Sequence, residues 1–255
     1  MLQIRQANWS TFSPMTVNPS LNAARSRLLI LAVLLGAVAV FAFAMAVVLG
    51  GANAPAQTGS YAGIPQGTFE GVGAPLIGNP QAKIILAEFS NFSCPGCAQY
   101  HRTIKKIIDT HVRNGQAALT YMPMTFQSAP SVIAAQAALC AKNQGKFWEM
   151  HDALFALHAQ RGANAFTLDL VREQAAALKL EMDAFVACVT GESTVETLIK
   201  ASQLANTVQV QYTPTLVYSL DGGKTWQWFE KDGQKFDSSV PLEVVSATVE
   251  QANRP

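Results

Sequence analysis

Residues 84–108 read IILAEFSNFSCPGCAQYHRTIKKII, and this stretch decides the fold. The apolar run at residues 84–89 is typical of a short strand that is buried on both faces. After Cys97 the apolar residues recur at intervals of three and four, which predicts an amphipathic helix. Two cysteines separated by Pro95 and Gly96 therefore stand where a strand passes into a helix.

The position of Cys94 at this junction favours redox chemistry. Proline suits the first position of a helix, so Pro95 makes Cys94 the residue just before it. There the sulfur faces free N–H groups and the positive end of the helix dipole, which stabilise a thiolate. Cysteines in such settings titrate at about 3.5 to 7.5, against about 8.5 for a free thiol. We expect Cys94 to be the exposed nucleophile and Cys97 to be the shielded sulfur that resolves the mixed disulfide.

Half of a zinc site is the alternative interpretation of a Cys-X-X-Cys segment. Such a site needs a second cysteine pair or two histidines at compatible spacing. His101 and His111 fall on the predicted helix, and His151 and His158 fall on a later one, where polar surface or edge-of-core positions are commoner. We therefore predict no metal and no other cofactor.

An uninterrupted apolar run begins at Leu28 and ends at Leu49, which is long enough to cross a bilayer as a helix. Arg5, Arg25 and Arg27 precede this run without any acidic residue. The positive-inside rule then leaves the N-terminus in the cytoplasm and exports the rest of the chain.

These features predict a cytoplasmic segment at residues 1–27 and a single-pass anchor in the inner (cytoplasmic) membrane at residues 28–50. The catalytic domain would then be periplasmic or extracytoplasmic. A cleaved signal peptide is the alternative, with a small-residue pattern at residues 52–54. The length of the apolar run and Pro55 after that pattern disfavour it.

Residues 51–67 are rich in Gly, Ala, Pro, Gln and Ser, a composition that predicts a flexible tether. Residues 68–255 would form one domain, and a domain of this length can bury a single hydrophobic core. The net charge of the whole chain is +1, so nothing in it indicates a nucleic-acid partner.

Cys140 and Cys188 are the remaining cysteines, and both lie in stretches with a helical pattern. Exported proteins seldom keep unpaired thiols, so a structural disulfide between these two is favoured over two separate buried thiols.

The pattern along the chain predicts an α/β domain with a block of helices within residues 128–207. Gly222 and Gly223 after Asp221 predict a hairpin near the end of the domain. Strands are expected at residues 68–72, 83–89, 117–121, 215–220 and 225–229. Helices are expected after Cys97 and at residues 131–142, 146–159, 168–178, 181–189, 193–205 and 241–251.

Three segments make the chain resemble the DsbA-like branch of the thioredoxin superfamily, over roughly residues 73–252. They read GNPQAKIILAEFSNFSCPGC, AAQAALCAKNQGKFWEMHDALF and YTPTLVY. The resemblance implies a thioredoxin fold with an inserted helical block, which agrees with the predicted order of elements. It also implies thiol-disulfide exchange on exported proteins.

The resemblance further implies roles for individual residues. Cys94 becomes the attacking cysteine and Cys97 the resolving one, and Pro214 is expected to follow a cis peptide bond beside them. Thr213 would offer its backbone to an extended substrate segment. Glu88 matches an acidic residue beneath the active site, where burial would raise its pKa and make it a proton acceptor for Cys97. At the edge of a sheet Glu88 would instead reach solvent.

We therefore expect a membrane-anchored oxidase that exchanges disulfides with exported proteins and is reoxidised by a quinone-linked membrane partner resembling DsbB. One alternative is a reductase or isomerase kept reduced by a membrane electron donor. Another is a non-catalytic peptide-binding or chaperone module. The Pro95-Gly96 pair departs from the Pro-His pair of the best-known oxidase, so one group that could stabilise the thiolate is absent.

Overall fold

The computed structural model describes residues 61–125 and 128–255. The expected membrane anchor and the first part of the expected tether, residues 51–60, lie outside these residues. Across the two described ranges, no helix combines the length and the apolar character that crossing a membrane requires.

The described part of the chain alternates strands and helices around one central sheet. The strands are β1 (Gln66–Phe69), β2 (Ala74–Gly78), β3 (Ile85–Ser90), β4 (Ala118–Pro123), β5 (Thr215–Ser219), β6 (Gln227–Trp228), β7 (Glu230–Lys231) and β8 (Gln234–Lys235). The α-helices are α1 (Pro95–Ile107), α2 (Ala129–Lys142), α3 (Phe147–Arg161), α4 (Leu168–Ala177), α5 (Met182–Thr190), α6 (Val195–Val208) and α7 (Leu242–Asn253). A π-helical segment, Ile108–Val112, continues α1.

The main sheet has six strands in the order β1-β2-β4-β3-β5-β6. β3 runs parallel to β4 and antiparallel to β5, and all six of its residues are buried. Alternate side chains of β3 enter different hydrophobic clusters, Leu86 on one face and Ala87 on the other. This arrangement confirms the prediction of a thioredoxin-like α/β fold, because helices cover both faces of the central strand.

The two faces of the sheet are covered by different helices. α1, α7 and the helical block α2–α5 contribute to the cluster that contains Leu86. Ala201, Ala205 and Val208 of α6 pack in the other cluster. The helical insertion predicted at residues 128–207 therefore corresponds to α2–α6. α1, whose first turn contains Cys97, packs on the same face of the sheet as α2–α5.

The predicted tether at residues 51–67 extends too far along the chain. Tyr61 and Ile64 are only 5% and 6% exposed, and the ring of Tyr61 lies 6.1 Å from that of Trp148. β1 begins at Gln66. Residues 61–67 thus belong to the folded domain. The large side chains of Tyr61 and Ile64 pack in the core, although the composition around them is typical of a tether.

The sequence pattern did not predict β2, and it placed the ends of other strands at different residues from those in the structure. β2 contains Pro75, which weakens a strand prediction, yet it pairs with both β1 and β4. The strand expected at residues 68–72 ends at Phe69, where a turn begins. The hairpin after Ser219 is short, and a second two-stranded sheet of β7 and β8 follows it.

Candidate active site

α1 begins at Pro95, and Cys94 occupies the position before it with extended backbone angles of φ −87° and ψ 121°. The predicted junction between strand and helix is therefore present. The Cys94 sulfur, however, closes no capping hydrogen bond with the first turn. Its thiol instead donates to the carbonyl oxygen of Thr213 at 3.4 Å, because the side chain turns towards the loop that precedes β5.

The surroundings of Cys94 favour its thiolate. Its pKa falls from the ordinary value to about 5, chiefly because the thiol of Cys97 donates a hydrogen bond to the sulfur. The backbone N–H groups of Cys97 and Gly96 and the side chain of Thr213 act in the same direction, whereas partial burial opposes them. The N–H groups at the start of α1 thus contribute to the low pKa, but the largest effect is that of the Cys97 thiol, and no capping hydrogen bond is formed.

Cys97 has the opposite environment. It is fully buried, and burial raises the pKa of its thiol far above the ordinary range. Its sulfur accepts a hydrogen bond from the backbone N–H of Asn91 at 3.4 Å. At neutral pH the pair therefore consists of a reactive thiolate at Cys94 and a protected neutral thiol at Cys97.

The loop before β5 lies directly against the cysteines. The peptide bond between Thr213 and Pro214 is cis. A Cβ atom placed on Gly96 would lie 3.4 Å from Cδ of Pro214 and 3.7 Å from the sulfur of Cys94. The neighbouring Tyr212 is 59% exposed, so this loop reaches the surface of the domain.

Glu88 lies on the central strand β3 and is fully buried, so it does not reach solvent at a sheet edge. Burial raises the pKa of its carboxyl group to about 8, with a smaller opposing effect of the Ser90 hydroxyl. Neither carboxylate oxygen has a hydrogen-bond partner in the described ranges. A carboxyl group with this pKa can accept or release a proton near neutral pH.

Sequence reasoning did not identify Asn91, which shapes the segment before Cys94. Its side-chain oxygen accepts from the N–H of Ser93 at 2.8 Å and from the hydroxyl of Ser131 at 3.0 Å. The first contact closes a local turn and the second ties that turn to α2. An asparagine side chain commonly accepts from the backbone N–H two residues further along the chain, so Asn91 could have indicated the local contact.

A buried ionic cluster around Asp152 also escaped prediction. Asp152 on α3 accepts hydrogen bonds from Tyr61 at 2.8 Å, His101 at 2.8 Å and Lys105 at 2.7 Å. His151 lies 3.4 Å away on the other side and is fully buried. The expectation that His151 occupies the surface or the edge of the core is therefore wrong, because aromatic rings enclose it. They belong to Phe92, Tyr121, Phe147, Trp148 and Phe155.

The side chains of His101, His151 and Asp152 place possible metal-ligand atoms within 4.8 Å of one another. The ammonium group of Lys105, however, lies 2.7 Å from an oxygen of Asp152 and supplies the positive charge there. This donor set fits an ion-pair network that joins α1 to α3 better than it fits a metal centre.

Cys140 on α2 and Cys188 on α5 form a disulfide bond in the structure. The bond spans 48 positions of the chain and lies within the helical block. These two cysteines are thus separate from the pair at residues 94 and 97, which are free thiols.

A family model described as thioredoxin matches residues 71–225 of the chain. A stretch of 79 residues is 34% identical to Na(+)/H(+) antiporter NhaA 1 of Salinispora arenicola and covers 31% of this chain and 12% of that protein. The chain thus spans only a small part of this curated relative.

Two further comparisons concern proteins of Bacillus subtilis. Disulfide bond formation protein D is 24% identical over 148 residues, which are 56% of this chain and 67% of that protein. The crystal structure of oxidised BdbD shares the fold with a TM-score of 0.60 and 20% identity, covering 74% of this chain and 97% of that one. With a family model that matches more than half of its length, the chain belongs to the thioredoxin family.

Proposed function

We propose that the chain is a membrane-anchored thiol-disulfide oxidoreductase that acts on exported proteins, chiefly as an oxidase. The observation that carries this proposal is the contrast between the two sulfurs. Cys94 is half-buried and has its pKa lowered to about 5 by hydrogen bonds, whereas burial raises the pKa of Cys97. The Cys94 sulfur can therefore act as the nucleophile or the leaving group in exchange, and the Cys97 sulfur can resolve the mixed disulfide.

In the oxidising reaction, a substrate thiolate attacks Cys94 in the disulfide form, and Cys97 leaves and takes up a proton. A second substrate thiolate then attacks the substrate sulfur of the mixed disulfide and releases Cys94 as a stable thiolate. The substrate gains a disulfide, and two electrons remain on the cysteine pair. Glu88 is the proposed donor of the proton that Cys97 takes up, since its pKa near 8 suits transfer at neutral pH.

The low pKa of Cys94 supports the oxidising direction. A stabilised thiolate lowers the free energy of the reduced form, and this makes the disulfide form a stronger oxidant. The Bacillus subtilis relative is named for disulfide bond formation, which agrees with this direction. The Pro95-Gly96 pair, which adds no charged group, favours the alternative of a reductase or isomerase kept reduced by a membrane electron donor.

Thr213 and Pro214 form the proposed binding surface for an extended substrate segment. The exposed Tyr212 widens this surface beside Cys94. Pairing through the backbone would depend little on the side chains of the substrate, so a broad range of exported substrates is expected.

The proposed location follows from the apolar run between Leu28 and Leu49 and the arginines before it. The domain would face the periplasmic or extracytoplasmic side, where disulfides persist. A quinone-linked membrane protein resembling DsbB is the proposed electron acceptor.

Trapping of substrates tests the exchange itself. A Cys97→Ser variant should accumulate mixed disulfides between Cys94 and exported proteins, whereas a Cys94→Ser variant should form none and should lose activity. Full activity of the Cys94→Ser variant would support a peptide-binding module instead. The redox state of the wild-type pair in cells then gives the direction: mostly disulfide supports an oxidase, and mostly thiol supports a reductase or isomerase.

A further inference from the structure

A row of buried polar groups lies on the face of β3 that α1 covers. Glu88 and Ser90 are two positions apart on the strand, so their side chains point to the same face. Tyr121 on β4 is the register partner of Glu88 and shares that face. The carboxylate oxygens of Glu88 and the hydroxyls of Ser90 and Tyr121 are buried, and none completes a hydrogen bond within the described ranges.

This grouping is unusual for a folded domain. An unpaired buried donor or acceptor costs about 1 to 3 kcal/mol, and native structures pair most such groups. Three residues with such groups on one face therefore lower the stability of the domain. A role in the chemistry of the neighbouring cysteine pair would explain their position.

The sulfur of Cys97 lies at one end of the row. It is 3.4 Å from the N–H of Asn91, which belongs to the peptide group that joins Ser90 to Asn91. Ser90 thus stands between Cys97 and Glu88 along the strand. Its hydroxyl is near enough to both side chains to lower the pKa of the Cys97 thiol and of the Glu88 carboxyl group.

We propose that Ser90 relays the proton between Cys97 and Glu88 during resolution of the mixed disulfide. This inference rests on the proposed exchange function and adds a residue to it. A hydroxyl group can accept a hydrogen bond from a thiol while it donates its own hydrogen to a carboxylate. Alanine at this position could do neither.

In the reducing direction, the Cys97 thiol gives its proton to the oxygen of Ser90 while the Ser90 hydrogen passes to the Glu88 carboxylate. The Cys97 thiolate then attacks the sulfur of Cys94, the bond between Cys94 and the substrate sulfur breaks, and the substrate leaves as a thiolate. The cysteine pair loses two electrons to the substrate, and Ser90 ends unchanged. In the oxidising direction the same proton returns from Glu88 to the leaving Cys97.

The two sulfurs can be followed separately with 5,5′-dithiobis(2-nitrobenzoate) on the full-length reduced protein. Attack by Cys94 releases one thionitrobenzoate, and displacement by Cys97 releases the second. In a Ser90→Ala variant the first phase should be unchanged. The second phase should slow roughly 10-fold or more, since general acid-base steps contribute about 10²- to 10⁴-fold, and its pH dependence near pH 8 should disappear.

Three further variants separate a relay from a structural effect. Ser90→Thr keeps the hydroxyl and should restore the second phase. Thr120→Val removes a different buried hydroxyl, one that bonds to Pro75 on the opposite face of β4, and should leave both phases unchanged. The Ser90→Ala/Glu88→Gln double variant should be no slower than Glu88→Gln alone, because both changes interrupt one path.

Misfolding would not explain the expected result. Ser90→Ala removes a buried hydroxyl that completes no full hydrogen bond, so the variant should keep close to the wild-type stability in urea. The relay is overturned if the second phase of Ser90→Ala keeps the wild-type rate and pH profile, or if the effects of Ser90→Ala and Glu88→Gln add. Absence of the second phase from the wild type would instead overturn the proposed exchange function.

Discussion

The acidity of Cys94 is set by contacts that belong to single residues. The thiol of Cys97 has the largest effect, and Thr213 contributes through its side chain. Neither contribution could be read from the Cys-X-X-Cys spacing, which indicated only the helix start. Residue 213 lies 119 positions from Cys94, so its contact depends on the tertiary fold.

A Thr213→Val variant should raise the pKa of Cys94 by about one unit, because it removes the side-chain hydroxyl that lowers this pKa and leaves the backbone carbonyl that accepts from the thiol in place. The pH dependence of alkylation by iodoacetamide measures this change. The wild type should show a midpoint near 5. Thr213→Ser keeps a hydroxyl and serves as the matched control. Equal midpoints for the valine and serine variants would exclude a contribution of the hydroxyl.

Glu88 should make the protein less stable as the pH rises. Its pKa is about 8 in the folded state against 4.5 as the ordinary value, so between these pH values only the folded state keeps the proton. The free energy of unfolding therefore falls with rising pH in this window, by up to about 4 to 5 kcal/mol at 1.36 kcal/mol per unit.

A Glu88→Gln variant should remove this slope and gain stability relative to the wild type up to about pH 8, where the difference levels off. Urea unfolding of the disulfide form at several pH values measures it, because neither active-site cysteine titrates in that form. Parallel stability curves for wild type and variant would contradict the raised pKa.

At the scale of elements, Asp152 connects α1 to α3 and to the segment that precedes β1. Its carboxylate is 3% exposed and lies against Lys105 and His101 of α1. Burial opposes the negative charge, but hydrogen bonds from His101, His151 and Lys105 hold the pKa of Asp152 well below its usual range. The cluster therefore helps to position the helix that begins at the active-site cysteines.

Asp152→Asn should destabilise the domain by about 2 to 4 kcal/mol, since it leaves the positive charge of Lys105 partly buried without its counter-charge. Glu196→Gln is the control, because the pair between Glu196 and Lys200 is exposed and should contribute far less to stability. Urea midpoints at unchanged m-value give both numbers. Equal effects of the two substitutions would show that burial does not distinguish these pairs.

The helices were predicted more accurately than the strands and the site contacts, for a physical reason. The period of apolar residues is a local signal, so the helix expected at residues 168–178 appears as Leu168–Ala177. β2 gives a weak local signal because it contains Pro75. The contact of Tyr61 with Asp152 joins residues 91 positions apart, and only packing of the whole domain brings them together.

At the scale of the whole molecule, the proposed anchor would give the chain a direction across the membrane. Thiolate chemistry at Cys94 is useful where substrates have or need disulfides, outside the cytoplasm. The described domain reaches back to Tyr61, so ten residues, 51–60, separate it from the proposed anchor at residues 28–50.

We therefore expect the full-length chain to remain with the membrane fraction after alkaline carbonate extraction, whereas a chain that begins at Pro55 should stay soluble. Protease added to intact spheroplasts should digest the domain, because the arginines before Leu28 retain the N-terminus in the cytoplasm. The intact mass of the membrane-bound protein should include residues 1–50. A soluble product that lacks them would support a cleaved signal peptide, and protection from protease would place Cys94 on the cytoplasmic side and contradict the proposed export of the domain.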